Sequence, residues 1–325
     1  MCSKDGLDNS LIEDNDGDRN NSYSTFESDD AVLARRSSNV SCIVMPRIRS
    51  QSMQQTEEIH DVMWRQYFAS FTAMLGGLIM GTAIGWTGPA LIYFDPNVTS
   101  QDFPVSEGDK SWIGSLLPLG ALFGCFVGGY LIAQYGRKIT MYISAGFFTS
   151  GYVLMLCAQN VIYLFTGRII CGVAMGITSV SCPTYIAEIT SPHIRGLLGS
   201  GFQLMLTIGI LYVDVVGTFV GEKCITIACI ALIIPWTFLM LFVPETPTFL
   251  LGKMKYDAAR SALEFLRGHP YVANELQRIR QSVEGSFSVK ATASDLLKPV
   301  NFKSLLISVL LQCARQLSGV KAIIY

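Results

Sequence analysis

The feature that most restricts this chain is a series of long runs without a charged residue. No Asp, Glu, Lys or Arg falls between Arg65 and Asp95, Lys110 and Arg137, Lys138 and Arg168, Arg168 and Glu188, or Lys223 and Glu245. A hydrocarbon layer about 30 Å thick takes about 20 helical residues to cross. Within it each backbone N–H and C=O needs a partner from the protein, so single runs of this kind read as helices. The spacing places membrane helices near 67–93, 112–135, 139–158, 162–186, 197–219 and 224–243. A seventh starts near 303 and reaches Tyr325. The run from Lys138 to Arg168 holds two helices, with Ala158-Gln159-Asn160 as the turn between them. The fold class expected is an all-α membrane protein, and the lipid bilayer is its first partner.

Composition removes several function classes. Only 15% of the 325 residues are charged, against about 25% in soluble domains. Net charge is −1 and no Lys/Arg-rich stripe occurs, so nucleic acid is not a partner. Cys125, Cys157, Cys171, Cys182, Cys229 and Cys313 sit in apolar runs without paired-ligand spacing. They read as small hydrophobes, not as disulfides or metal ligands. All three histidines fall in tail or loops, and no nucleophile motif or pair of facing carboxylates appears. The expectation is a protein that is not an enzyme and needs neither cofactor nor metal.

Residues 1–65 are rich in Asp, Asn and Ser and read as a disordered tail, because such a segment buries too little apolar surface to offset its ordering entropy. The charges of Lys4, Asp5, Asp8, Glu13 and Asp14 leave no apolar core for a secretory leader. Arg35-Arg36-Ser37-Ser38 and Arg47-Ile48-Arg49-Ser50 resemble basophilic kinase sites. Residues 66–244 form a six-helix transmembrane bundle, 245–302 a helical linker, and 303–325 the seventh helix. The loops carrying Arg137, Lys138, His193, Arg195, Lys253, Lys255, Arg260 and Arg267 are richer in Lys and Arg than those at the other end. That bias makes them, the linker and the N-terminal tail cytoplasmic. Asn97-Val98-Thr99 is a glycosylation sequon in the first loop, on the opposite side.

Glycines recur every four residues at Gly77, Gly81 and Gly85, at Gly120, Gly124 and Gly128, and at Gly172 and Gly176. In lipid, small residues at this spacing let helix backbones approach closely. In the linker, Ala262, Leu263 and Leu266, then Val272, Leu276, Ile279 and Val283, recur at helical spacing among charges. They predict short amphipathic helices lying under the bundle.

Five motifs in order give a resemblance. Gly81–Leu91 reads GTAIGWTGPAL, and Ser111-Trp112-Ile113-Gly114-Ser115-Leu116 opens the second helix. Gly167-Arg168, Gly172, Gly176, Pro183, Tyr185, Glu188, Arg195 and Gly196 fit a long signature through the fourth helix and the loop after it. Pro244-Glu245-Thr246-Pro247 follows the sixth helix, and Gln316-Leu317-Ser318-Gly319 opens a signature within the seventh. Over about 67–325 the chain resembles sugar porters of the major facilitator superfamily, of the insect trehalose-transporter and glucose-transporter type. The resemblance implies the N-terminal six-helix bundle of that superfamily, cytoplasmic helices, and the seventh helix as the start of a second bundle. It also implies a multi-pass plasma-membrane glycoprotein that moves a small-molecule sugar, trehalose or a hexose, by alternating access.

Site residues follow from the same resemblance. Arg137, Lys138, Glu188, Arg195 and Glu245 match charges that close the cytoplasmic gate. The pattern departs at Ala133 and Gln134, where acid and base are usual, and at Thr248, where Arg is usual, so a weaker inward gate is expected. Gln203 and Gln316 match sugar-binding glutamines, and Tyr325 matches an aromatic of the outer gate. Arg315 and Lys321 stand where the family has Gln and Asn contacting sugar. A cation deep in a bilayer costs about 2.5–3.5 kcal/mol, and Asp214 in the fifth helix is the expected partner for Lys321 or Arg315. Ala83 stands where proton-coupled relatives carry an acid, which implies facilitated diffusion. The chain stops at the outer end of the seventh helix, so a second bundle is expected to be missing. The alternative reading is therefore a truncated membrane protein that does not transport and is regulatory, sensor-like or the product of an incomplete gene model.

Overall fold

Prolines, glycines and capping residues set the helix limits more tightly than charge does. The computed structural model describes residues 63–94, 105–288 and 299–317. Six helices are long and apolar enough to cross a membrane: α1 Met63–Tyr93, α2 Glu107–Tyr135, α3 Arg137–Leu156, α4 Val161–Ile189, α5 Pro192–Gly217 and α6 Glu222–Leu239. A 3-10 turn, Met240–Phe242, extends α6. Then come α7 Pro247–Gly252, α8 Tyr256–Arg267, α9 Ala273–Ser288 and α10 Pro299–Leu317.

The six membrane-length helices agree in number and order with the first six charge-free runs, but the limits shift. The second helix begins five residues earlier than its first apolar residue, because the Asp109 carboxylate accepts from the Ser106 N–H, 3.0 Å away, and caps the first turn. The fifth also begins early, with Pro192 at its first position where a missing N–H does no harm. Of the expected seventh span, α10 is helical from Pro299 and its apolar part is Leu305–Ala314. Residues 318–325 lie outside the described residues.

One helix occupies the centre. In α1, 72% of the apolar window is buried, against 28–50% in the other five. Its glycines explain how it fits. A methyl at Gly77 would press on Phe202, and one at Gly81 or Gly209 would overlap the backbone across the α1–α5 contact. Trp236 of α6 is fully buried and donates its indole N–H to the Thr72 carbonyl of α1 at 3.0 Å. Pro89 has no N–H to give to Gly85, so the helix breaks at Trp86 and resumes as Thr87–Tyr93.

The α2–α4 contact is built the same way. Methyls at Gly120 and Gly124 would overlap the carbonyls of Ile169 and Val173, and at Gly172 and Gly176 those of Leu117 and Ala121. The outer faces are apolar, with Leu122, Phe126 and Tyr130 of α2 all more than half exposed. Beneath one end of the bundle, α8 buries Ala259, Ala262, Leu263 and Leu266 and ends at Gly268 in the left-handed conformation. Arg65 of α1 reaches the Phe265 carbonyl and Arg267 reaches the Ile189 carbonyl, which fixes α8 to the ends of α1 and α4.

A test follows from the glycine contact. Gly124→Leu should lower the stability of the detergent-purified protein by about 1–3 kcal/mol, the usual effect of overpacking. Gly129→Leu, with open space around it, should leave the thermal unfolding midpoint unchanged. Equal midpoints for the two variants would contradict the packing described.

Candidate functional site

α5 presents two unlike outward faces. Its buried face is Ile194, Leu198, Phe202, Leu206, Gly209 and Val213. Of the exposed residues, Gln203, Thr207, Asp214 and Thr218 fall within about 60° of one another at 3.6 residues per turn. Leu204, Ile208 and Val215 form the neighbouring apolar stripe. Gln203 is at the middle of α5, and neither its amide nor the Asp214 carboxylate has a side-chain hydrogen bond among the described residues. Asp214 lies one turn from the end of α5, where a methyl on Gly88 of α1 would be 3.8 Å from its Oδ1.

A second set of polar groups gathers at the other end. α3 starts from Gly136, whose φ of +94° and whose contact with Glu245 both exclude a side chain. The Glu245 carboxylate accepts from the backbone N–H groups of Arg137 at 3.0 Å and Lys138 at 3.1 Å, and from Thr246 N–H at 3.0 Å. It thereby caps the positive end of α3. Arg137 Nη2 donates to Glu188 Oε1 of α4 at 2.7 Å, with its guanidinium 5.4 Å from the centre of the Phe249 ring. Lys138 Nζ donates to the carbonyls of Val243 at 2.7 Å and Leu241 at 3.2 Å. Tyr185 OH donates to the Pro244 carbonyl at 2.8 Å. Glu188 Oε2 and Arg137 Nε are buried without a hydrogen bond among the described residues.

The structure thus brings together Arg137, Lys138, Glu188 and Glu245. Arg195 stands apart, exposed in the first turn of α5, with a long 3.4 Å hydrogen bond to the Thr190 carbonyl. Gln203 and Asp214 share one face of α5. Gln316 and Arg315 belong to α10, but their side chains lie outside the described residues, as do Asn97, Lys321 and Tyr325. No cluster of three or more potential metal-ligating side chains occurs among the described residues.

The motif that contains Arg168 does not disclose where its side chain sits. Arg168 is fully buried two turns inside α4. Its Nε donates to the Ile113 carbonyl of α2 at 3.1 Å and Nη1 to the Ala83 carbonyl at 2.8 Å. Nη2 donates to the Thr87 hydroxyl, so one fork spans the break in α1. The guanidinium lies 5.3 Å from the Trp86 ring centre, and Trp86 donates to Thr226 of α6 at 3.0 Å. A cation between two apolar runs was the available signal. Gln66, which accepts from the N–H and hydroxyl of Ser191, carried none.

The charged cluster makes its own prediction. Both side chains of the Arg137–Glu188 pair are only 15–17% exposed. Removing one partner strands the other, at up to about 3 kcal/mol for a pair not fully buried. Arg137→Met and Glu188→Met should each lower the unfolding midpoint, and the double variant should regain part of the loss. Additive losses in the double variant would show that the pair is not coupled.

With this geometry in view, comparison with known proteins places the chain. Residues 69–325 match the family model described as sugar (and other) transporter. The facilitated trehalose transporter Tret1 of Aedes aegypti is 36% identical over 266 residues, covering 81% of this chain and 33% of the mosquito protein. Tret1 of Culex quinquefasciatus is 35% identical over 273 residues, covering 83% of this chain and 52% of its own. The chain thus spans between about a third and a half of the length of these two relatives. The xylose transporter XylE from E. coli, in a partially occluded inward-open conformation, superposes with a TM-score of 0.66 at 22% identity. That match covers 80% of this chain and 65% of XylE. A double-tryptophan XylE mutant gives 0.70, also at 22% identity, covering 80% of this chain and 61% of its own. At that identity the likeness concerns the fold alone. The chain belongs to the sugar (and other) transporter family.

Proposed function

We propose that this protein carries a sugar, trehalose or a hexose, across the plasma membrane by facilitated diffusion with alternating access. The observation that carries the reading is the polar face of α5. An amide at mid-span and an acid a few turns along would be costly against hydrocarbon, so such a face suits a water-filled path. The Gln203 amide can both donate to and accept from sugar hydroxyls. The family and the trehalose-transporter relatives point to the substrate class. No acid occurs in α1 between Arg65 and Asp95, which favours transport without a coupled proton.

The cluster around Glu188 is proposed as the cytoplasmic gate. Its buried Arg137 Nε and Glu188 Oε2 retain hydrogen-bonding capacity that a second bundle would use on closing. Asp214 is proposed to pair with Lys321 or Arg315 across the path. In this orientation the N-terminal tail is cytoplasmic, and Asn97 lies outside and is glycosylated, which loss of a glycosidase-sensitive mass shift in Asn97→Gln would check.

Reconstituted in liposomes, the protein should equilibrate labelled trehalose or glucose with saturable kinetics, unaltered by a proton ionophore. Gln203→Ala should reduce that uptake roughly 3- to 10-fold, the equivalent of one hydrogen bond. Absence of saturable uptake, or accumulation against a gradient that the ionophore abolishes, would overturn this reading.

A further inference from the structure

Two cavities meet at one residue on the outer wall of the bundle. The first, about 440 Å³, lies where α6 leaves the apolar span. Lys138, Glu245 and Phe242 line one side of it, and Ala258, Ser261 and Phe265 of α8 line the other. The second, about 390 Å³, is a groove between α3 and α6 lined by Thr149, Ile230, Ile234, Thr237 and Phe238. Leu241 belongs to both.

The chemistry changes along this path. At its α8 end are a lysine, a carboxylate and a serine; beyond Leu241 the lining is aliphatic and aromatic, apart from two threonine side chains. Thr149 and Thr237 give their hydroxyl hydrogens to carbonyls of their own helices, so the groove offers no free donor. From Leu241 to Ile230 is eleven helical residues, about 16 Å into the apolar span. A sugar has nothing to bind there. An amphiphile with a negative head and an acyl tail has complementary groups at both ends.

The mouth offers a phosphate one cationic donor, while the anionic Glu245 beside it is engaged in capping α3. Glu245 already accepts three backbone N–H groups, so its lone pairs are largely committed. Lys138 Nζ has three donors and gives two to the carbonyls of Leu241 and Val243, which leaves one. Its position at the end of the span is headgroup depth, and Leu241 and Phe242 beside it are each more than half exposed.

We propose that this pocket and the groove next to it form a binding site for a glycerophospholipid, with its phosphate on Lys138 and one acyl chain passing Leu241 into the groove between α3 and α6. The lipid braces α8 against the exit of α6, next to the Glu245 cap. This site is separate from the polar face of α5 and stands whether or not that face binds sugar.

The test is native mass spectrometry of the detergent-purified protein with added dioleoylphosphatidylglycerol. Wild type should retain one lipid molecule. Ile234→Trp, which fills the groove, and Ser261→Phe, which fills the pocket, should each cut the retained fraction about tenfold, or 1.4 kcal/mol. Ala258→Phe blocks the pocket from another turn of α8 and stands in if Ser261→Phe does not give a single size-exclusion peak. Leu211→Trp, on the exposed apolar part of α5, should retain lipid as wild type does. A wild type that retains none, filling variants that retain it fully, or a Leu211→Trp loss as large as theirs would each overturn the proposal.

Discussion

A guanidinium shut away from water needs its donors answered by the protein, and Arg168 meets that demand by drawing helices together. It takes carbonyls from α1 and α2, a hydroxyl from α1, and the face of Trp86, which is itself tied to α6. An uncompensated cation in this position would cost several kcal/mol. The arrangement holds only while the break in α1 is in place, since the fork spans Ala83 and Thr87 on either side of Trp86. The proline that makes the break and the arginine that bridges it are two parts of one device.

The rest of the bundle is organised around that centre. Glycine contacts bring α1 to α5 and α2 to α4 at backbone distance, where no side chain can adjust. Such contacts make the bundle a rigid unit, as rocking between two conformations requires. Against this rigid packing, α5 keeps one polar face on which the Gln203 amide and the Asp214 carboxylate make no side-chain hydrogen bond among the described residues. At the other end the charges are concentrated on Glu245, which caps α3, and on the Arg137–Glu188 pair. The proposed movement of a solute would use both the close packing and the polar groups that α5 leaves exposed.

Much of this was legible in the sequence because lipid permits so few structures. Charge-free runs gave the number and order of the six membrane-length helices, and the Gly-x-x-x-Gly spacing marked faces of α1, α2 and α4 that pack closely. The charged residues of the motifs were found, and four of five gather. Which partner each takes was not legible. Pairing across 51 residues, as between Arg137 and Glu188, or 85, as between Arg168 and Ala83, depends on how helices cross. Helix limits were missed where a cap extends a helix past its apolar stretch, as at Ser106 and Ser191. The lipid-shaped groove leaves no trace in sequence, because Thr149, Ile230 and Ile234 look like any wall of a span.

The central claim is that the α5 face bearing Gln203 and Thr207 meets water and substrate rather than hydrocarbon. Thiol labelling tests it most directly. In a background with Cys2 and Cys42 and the cysteines exposed among the described residues, 125, 157, 224 and 313, replaced, Gln203→Cys, Thr207→Cys and Leu204→Cys would be treated with a charged, membrane-impermeant reagent. The account predicts that Gln203→Cys and Thr207→Cys react, that sugar protects them, and that Leu204→Cys on the neighbouring apolar stripe does not react. Equal inertness at all three positions would contradict it.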